Sequence, residues 1–347
     1  MKADTEIAAQ HHGGDLAAAR RAHEDGGGGG GVDWLDLSTG INPYPYAFGE
    51  LPEEAWTRLP DSGVEAELLA AAAAYYGAPD PACVVAASGS QSLIQLLPGL
   101  RPAGRVAVLR PTYVEHEPCW AAAGHEVVAL GEIDAGDCDV VVLANPNNPD
   151  GRRFAPAELE ELAAGLAPRG GSPRGGWLVV DEAFADLEPE LSLAATVRQL
   201  DRPSRIVLRS FGKFFGLAGL RLGFAITAPQ IAGRIRAALG PWAFSSPAAW
   251  IATQAFADQA WIAATHQRLA AAAGELDLML GRAGLEVIGG TVLYRLVHTP
   301  AAAEICEVLR RHRILVRHYP ERPDWLRFGL PGERGRQLKA ALSAWRS

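Results

Sequence analysis

Lys213 lies in the stretch Arg209-Ser-Phe-Gly-Lys-Phe-Phe-Gly-Leu-Ala-Gly-Leu-Arg221, with Phe211, Phe214, Phe215 and Leu217 around it in place of the usual polar neighbours. Such company desolvates an ammonium and favours the neutral amine, which can form a Schiff base with a carbonyl compound. Ser210 stands three residues before the lysine and Arg221 eight after it. A hydroxyl and a guanidinium fork both bind phosphate oxygens. An amine and phosphate ligands in one stretch describe a site for a phosphorylated aldehyde. The alternative for this stretch alone is a lysine snorkelling out of a glycine-rich loop.

Other candidates each follow a short apolar run. Ser88-Gly-Ser-Gln-Ser92 follows Cys83–Ala87. Small residues opening a helix present free N–H groups to a phosphate, which makes Gly89, Ser90 and Gln91 candidates, although many ordinary caps look the same. Tyr113 follows Arg105–Leu109 and is placed either to stack on an aromatic ring or simply to pack. Asn145-Pro-Asn-Asn-Pro-Asp-Gly151 follows the run 139–144. Pro149 holds Asn148 extended, where its amide can donate to a phenolate oxygen; the plainer reading is a turn. Asp181 follows Trp177–Val180. A carboxylate there can keep a ring nitrogen protonated, though a lone aspartate more often caps a helix or binds a metal. Taken together, these residues offer a partner for every feature of pyridoxal 5'-phosphate: phosphate, ring face, phenolic oxygen, ring nitrogen and aldehyde.

The elements that must position these groups alternate. A helix is expected from about Val64 to Tyr76, stopped by Gly77. Apolar strands at 83–87, 105–109, 126–130, 139–144, 177–181, 205–209 and 222–226 are separated by helical segments. Apolar on both faces, they predict a mostly parallel sheet flanked by helices, with ligands at the carboxyl ends of the strands. The rhythm changes after Gly240-Pro241. A long alanine-rich helical region follows, from Ala248 to about Leu280 with an interruption near Gly274, and then a smaller α+β domain. The predicted organisation is an N-terminal arm at 1–40 containing the glycine run Gly26–Gly31, a large domain at 41–245 and a small domain at 246–347.

The net charge of -8 argues against a general nucleic-acid binder. No charge-free apolar run reaches membrane-spanning length. Four cysteines without a CxxC pair and an acidic start without a signal-peptide pattern predict a cytoplasmic protein with no zinc site and no disulfide framework.

The ordered set of strand-end residues resembles the fold-type-I pyridoxal-phosphate enzymes of the class I/II aminotransferase family, from about residue 35 to the end of the chain. The resemblance implies an α/β fold, a homodimer and a small phosphorylated amino acid as substrate. It gives Lys213, Asp181 and Tyr113 to catalysis, with Lys213 carrying the Schiff base, Asp181 on the ring nitrogen and Tyr113 on the ring face. Asn148 would bond the phenolic oxygen, and Gly89, Ser90, Gln91, Ser210 and Arg221 would hold the phosphate. Arg327, in Trp325-Leu-Arg-Phe-Gly-Leu-Pro331, falls where the family's C-terminal arginine grips a carboxylate.

Within the family, His12-Gly-Gly-Asp15, Asp36-Leu-Ser-Thr-Gly-Ile-Asn-Pro43 and the Lys213 stretch look like the threonine-phosphate decarboxylases of cobalamin synthesis. Histidinol-phosphate aminotransferases are the alternative, and a non-catalytic regulator is disfavoured because no DNA-binding domain is appended. His12, Asn42, Asn148, Arg317 and Arg327 are the expected substrate ligands. A solvent-exposed role for His12 remains open, Arg313 and His318 compete with Arg317, and His11 is assigned to solvent. Two departures from the wider family stand out. Phe184 replaces a tyrosine, which removes a second bond to the phenolic oxygen. Leu59 replaces a tyrosine that reaches the neighbouring subunit's phosphate.

Overall fold

The computed structural model describes residues 13–24, 33–132, 136–166, 175–197 and 204–346. Their strands, in chain order, are β1 (Leu35–Leu37), β2 (Val84–Ala87), β3 (Arg105–Leu109), β4 (Glu126–Leu130), β5 (Val140–Ala144), β6 (Trp177–Asp181), β7 (Ser204–Ser210), β8 (Gly223–Thr227), β9 (Glu286–Thr291), β10 (Tyr294–His298), β11 (Ile314–Tyr319) and β12 (Arg322–Gly329). Two compact units divide the chain: Ile41–Ala270 with Gly290–Val292, and residues up to Gly40 with Ala271–Gly289 and Leu293 onwards. Among the described residues no helix is long and apolar enough to cross a membrane.

In the larger unit the sheet order is β2-β8-β7-β6-β5-β3-β4. All neighbours from β7 to β4 pair in parallel, and β8 runs antiparallel to both β7 and β2. The expected α/β architecture is therefore present. Every residue of β2, β5, β6 and β8 is buried, because helices cover both faces and each valine or leucine removed from water contributes about 1.5–3 kcal/mol. One core layer joins Val106, Val142, Val179 and Ile206 to Trp120 and Ile235 from flanking helices. The helix Ser62–Tyr76 starts where the Asp61 carboxylate accepts from the N–H groups of Gly63 and Val64, and it ends at Gly77 with φ 70°.

The expected domain boundary near 240–250 lies inside the larger unit, which continues to Ala270. The reason is packing. The helix Ser246–Ala257 lies on the helix Ser62–Tyr76, and Trp261 stacks on Phe215 at 5.6 Å between ring centres. The helical region is broken at Asp258, where the carboxylate accepts from Trp261 N at 2.9 Å and starts the helix Gln259–Arg282. That helix runs through Gly274 without interruption. A glycine inside a long helix costs only about 1 kcal/mol, less than stopping it would.

The smaller unit holds a sheet of order β1-β11-β12-β10-β9. β1 pairs in parallel with β11, Leu35 opposite Ile314 and Leu37 opposite Val316. The segment expected as an arm thus contributes a strand, while its glycine run lies outside the described residues.

Candidate active site

The sheet order explains why distant motifs meet. β2, β7, β6, β5 and β3 point the same way, so their carboxyl ends share one edge of the larger unit. β8 runs the other way, so its beginning lies at that same edge. In the last row, Gly223 of β8 stands between Ala87 of β2 and Ser210 of β7. Ser210, Arg221 and the Gly89-Ser90 turn therefore converge.

The phosphate-binding candidates form a tight cradle. Gly89 has φ 83° and ψ 155° and precedes the helix Ser90–Leu96. A Cβ on Gly89 would lie 2.6 Å from Nη2 of Arg221, and a Cβ on Gly223 would lie 2.2 Å from the Ser90 backbone nitrogen. Only glycines let the guanidinium and the helix start approach so closely. Arg221 itself is exposed, has φ 50°, and donates through Nη1 to the Ala218 carbonyl at 3.2 Å. A helix N-terminus, a hydroxyl and a guanidinium gathered on a surface without side-chain bulk fit a phosphate.

The side chain of Gln91 has a separate task. Its Oε1 accepts from the Tyr113 hydroxyl at 3.0 Å and its Nε2 donates to Glu115 at 3.2 Å, so the side chain fixes the expected stacking tyrosine. Tyr113 in turn lies edge-on to His116, with ring centres 5.8 Å apart.

His116, which the sequence reading did not single out, is 1% exposed and sits 3.2 Å from Oδ2 of Asp181. Asp181 Oδ1 accepts from the Ala183 N–H at 3.1 Å. The carboxylate is thus fixed by two partners at the end of β6, as a group meant to face a ring nitrogen must be. The available signal was a histidine in the first turn of the helix after Tyr113, with nothing in the sequence to name its partner.

The Asn-Pro loop divides its labour. Asn145 donates to and accepts from the backbone of Phe154, and Asn147 donates to the Pro111 carbonyl and to Asp150 while accepting from Thr112. Both are buried; Asn148 is half-buried.

Lys213 lies on the short helix Phe211–Phe214 directly after β7, with Nζ 5.3 Å from the Phe184 ring centre. Its turn is built on aromatic rings: Phe211 stacks on Phe215 at 4.5 Å and Phe214 meets His266 at 5.1 Å. Burial pushes the His266 imidazole below its ordinary value, so it stays a neutral packing ring at pH 7. Gly212 admits Ala218 against its backbone, at 2.6 Å from a would-be Cβ. Asn42 is 2% exposed and donates through its side chain to the Phe214 carbonyl and through its backbone to the Lys213 carbonyl. The structure therefore ties Asn42 to the lysine turn.

The remaining substrate candidates lie in the smaller unit. Arg317 and Arg327 face each other directly on antiparallel β11 and β12, which puts both side chains on one face. Arg327 is buried over the Tyr294 ring at 4.8 Å and donates to the Ser38 carbonyl at 2.8 Å. Burial, with Arg327 adding to it, lowers the Arg317 guanidinium below its ordinary value despite Tyr319. Two adjacent cations on one face repel, and a bound anion relieves the repulsion. His12 lies outside the described residues. Gly13, which follows it, presses on Ser38, whose carbonyl oxygen would lie 2.5 Å from a Cβ, and Gly14 N donates to the Ser38 hydroxyl at 2.7 Å.

Residues 32–344 match Aminotransferase class I and II, and the chain belongs to that family. A threonine-phosphate decarboxylase of Pseudomonas aeruginosa is 45% identical over 316 residues, covering 89% of this chain and 91% of the relative. Another, from a Sinorhizobium species, is 45% identical over 320 residues, covering 90% and 92%. Among solved structures, the histidinol-phosphate aminotransferase of Sinorhizobium meliloti in complex with pyridoxal-5'-phosphate is similar with a TM-score of 0.77, covering 99% of this chain and 98% of that one. At 20% identity that likeness speaks for the fold alone.

Proposed function

We propose that the protein is a pyridoxal-phosphate-dependent decarboxylase that converts L-threonine O-3-phosphate to (R)-1-amino-2-propanol O-2-phosphate and CO2, acting in cobalamin biosynthesis. The observation that carries this reading is the 45% identity to two threonine-phosphate decarboxylases over about nine-tenths of each chain. Histidinol-phosphate aminotransferases, the alternative, are more distant, such as one of Ralstonia nicotianae that is 33% identical over 230 residues and covers 64% of this chain.

The cradle of Gly89, Ser90, Ser210 and Arg221 would hold the cofactor phosphate. Tyr113 would face the ring, Asn148 the phenolic oxygen and Asp181 the ring nitrogen. When bound there, the cofactor supplies an electron sink for the charge left on Cα as CO2 departs. Lys213 would provide the amine that holds it, and Lys213 or a water would supply a proton to Cα. Asp181, fixed by His116 and the Ala183 N–H, keeps the ring nitrogen protonated. Arg317 and Arg327 would hold the substrate's anionic groups, with Asn42 supporting the lysine turn and His12 as a further phosphate ligand. The choice between losing CO2 and losing a proton would follow from how the substrate's anionic groups are anchored.

The protein is also proposed to be a cytoplasmic homodimer with no nucleic-acid or membrane partner. Supporting the dimer, the larger unit exposes Trp56, Leu59, Trp242 and Trp250. The helix carrying Trp56 packs on the one carrying Trp250, and Pro60 and Trp242 line a common cavity.

The test is to incubate the pyridoxal-phosphate-loaded protein with threonine phosphate and no oxo acid, following CO2 and the amine. Sustained turnover is expected. Activity confined to histidinol phosphate plus 2-oxoglutarate would overturn the assignment. Lys213→Ala should lack the visible absorbance of the bound cofactor, and an unchanged spectrum would refute the role of the lysine.

A further inference from the structure

Behind the candidate site lies a buried charge cluster that none of the chemistry above uses. Arg209 is 3% exposed, immediately before Ser210, and its Nη1 donates to Glu182 at 2.9 Å. Its Nη2 lies 3.4 Å from Asp186, and its guanidinium lies 4.5 Å over the Tyr76 ring. Glu182 is fully buried and directly follows Asp181. Its carboxylate also accepts from the Ser192 hydroxyl at 2.5 Å and the Leu193 N–H at 2.8 Å, and its own N–H donates to the Leu208 carbonyl at 2.8 Å.

We propose that Arg209 is a positioning residue: its grip on Glu182 and Asp186 locks the end of β6, which carries Asp181, to the end of β7, which leads into the turn carrying Lys213.

The placement argues for this role over simple stability. Arg209 and Lys213 flank one turn, and Asp181 and Glu182 are adjacent in the chain, so the ion pair spans the two strand ends that a cofactor ring would bridge. A planar guanidinium with two carboxylates defines both separation and angle, which a lysine cannot. The cost is considerable, because buried ion pairs seldom add net stability over apolar packing. Burial raises the Glu182 and Asp186 carboxyls even though Arg209 opposes it. Burial alone would lower the guanidinium; Asp186 and Glu182 outweigh it and hold it above its ordinary value. Hydrophobic residues of similar volume would fill the space without these opposing forces but would not fix an angle between two strands.

β7 supplies its own control. Arg205, 1% exposed at the opposite end of the strand, pairs with the half-buried Glu160, which also accepts from the Thr196 hydroxyl. Arg205→Lys and Arg209→Lys each remove a buried fork from the same strand, but only one does so beside Lys213.

The inference rests on pyridoxal phosphate being the cofactor, as proposed above. The experiment titrates the apo form of wild type, Arg205→Lys and Arg209→Lys with pyridoxal phosphate. It records the dissociation constant, the position of the visible band and the thermal midpoint. Both variants should lose thermal stability. Arg209→Lys alone should shift the band and weaken cofactor affinity by about tenfold, a middle value for residues sharing one hydrogen-bonded network. An Arg209→Lys protein whose band and affinity match those of wild type or of Arg205→Lys overturns the proposal. Should Arg209→Lys fail to fold, Glu182→Gln keeps the shape and is read by the same criteria. Absence of any visible band in wild type would defeat the cofactor reading instead, so the two failures are distinct.

Discussion

Gly89→Ala probes the phosphate cradle at its closest approach. The backbone there has φ 83° and ψ 155°, a conformation that alanine adopts at a cost of about 1–3 kcal/mol. The added Cβ would stand 2.6 Å from Nη2 and 3.2 Å from Cζ of Arg221. Ordinary contact begins near about 3.5 Å, so the guanidinium must retreat by about 1 Å. A charge-assisted hydrogen bond to phosphate contributes about 1.5–3 kcal/mol. Losing it should raise the pyridoxal-phosphate dissociation constant roughly ten- to a hundredfold. The assay is titration of apo protein, followed by the visible absorbance of the bound cofactor, with thermal melts alongside. Gly99→Ala is the control, since its Cβ would meet nothing within 4 Å. A folded Gly89→Ala protein that binds the cofactor within about twofold of wild type would refute the cradle.

Two further outcomes follow. His116→Phe keeps a ring beside Tyr113 but removes the 3.2 Å contact with Asp181; it should lower stability by about 1–3 kcal/mol and weaken cofactor binding, and unchanged melting and affinity would show that the contact is idle. Burial pushes the Cys306 thiol up to about 11, so at pH 8 its thiolate fraction is roughly two orders of magnitude below that of an ordinary cysteine; alkylation followed by peptide mass spectrometry should find Cys306 modified slowly until the pH nears that value, and modification at the rate of free cysteine would contradict this.

The motifs on consecutive strand ends were legible because each names its own chemistry: an amine among phenylalanines, an acid at a strand end, glycines at a helix start. A parallel sheet then brings them together by topology alone. Partners set by side-chain direction were not legible. His116 gave no sign that it would meet Asp181, and nothing in the sequence says that the Gln91 side chain would engage Tyr113 and Glu115. Nor does the sequence say that Asn42 would bond to the lysine turn. Propensity puts a break in the long helical region near Gly274, whereas the break lies at Asp258, whose carboxylate caps the next helix. Leu35–Leu37 is too short to announce a strand, and its membership of the smaller sheet depends on Ile314–Val316, far along the chain.

The position of β8 also has consequences for how the chain acquires its shape. Among the described residues, β2 has only β8 as a neighbour in the sheet. During synthesis the apolar Val84–Ala87 segment must wait until Gly223–Thr227 has been made, on the order of ten seconds at ordinary translation rates. Until then it presents an unpaired, uncharged strand edge, the kind of surface that recruits other chains. The same insertion that completes the sheet sets Gly223 against Ser90. Solubility of the nascent protein and assembly of its phosphate cradle therefore depend on one late event, and pulse-labelled hydrogen exchange should find the amides of these two strands becoming protected together.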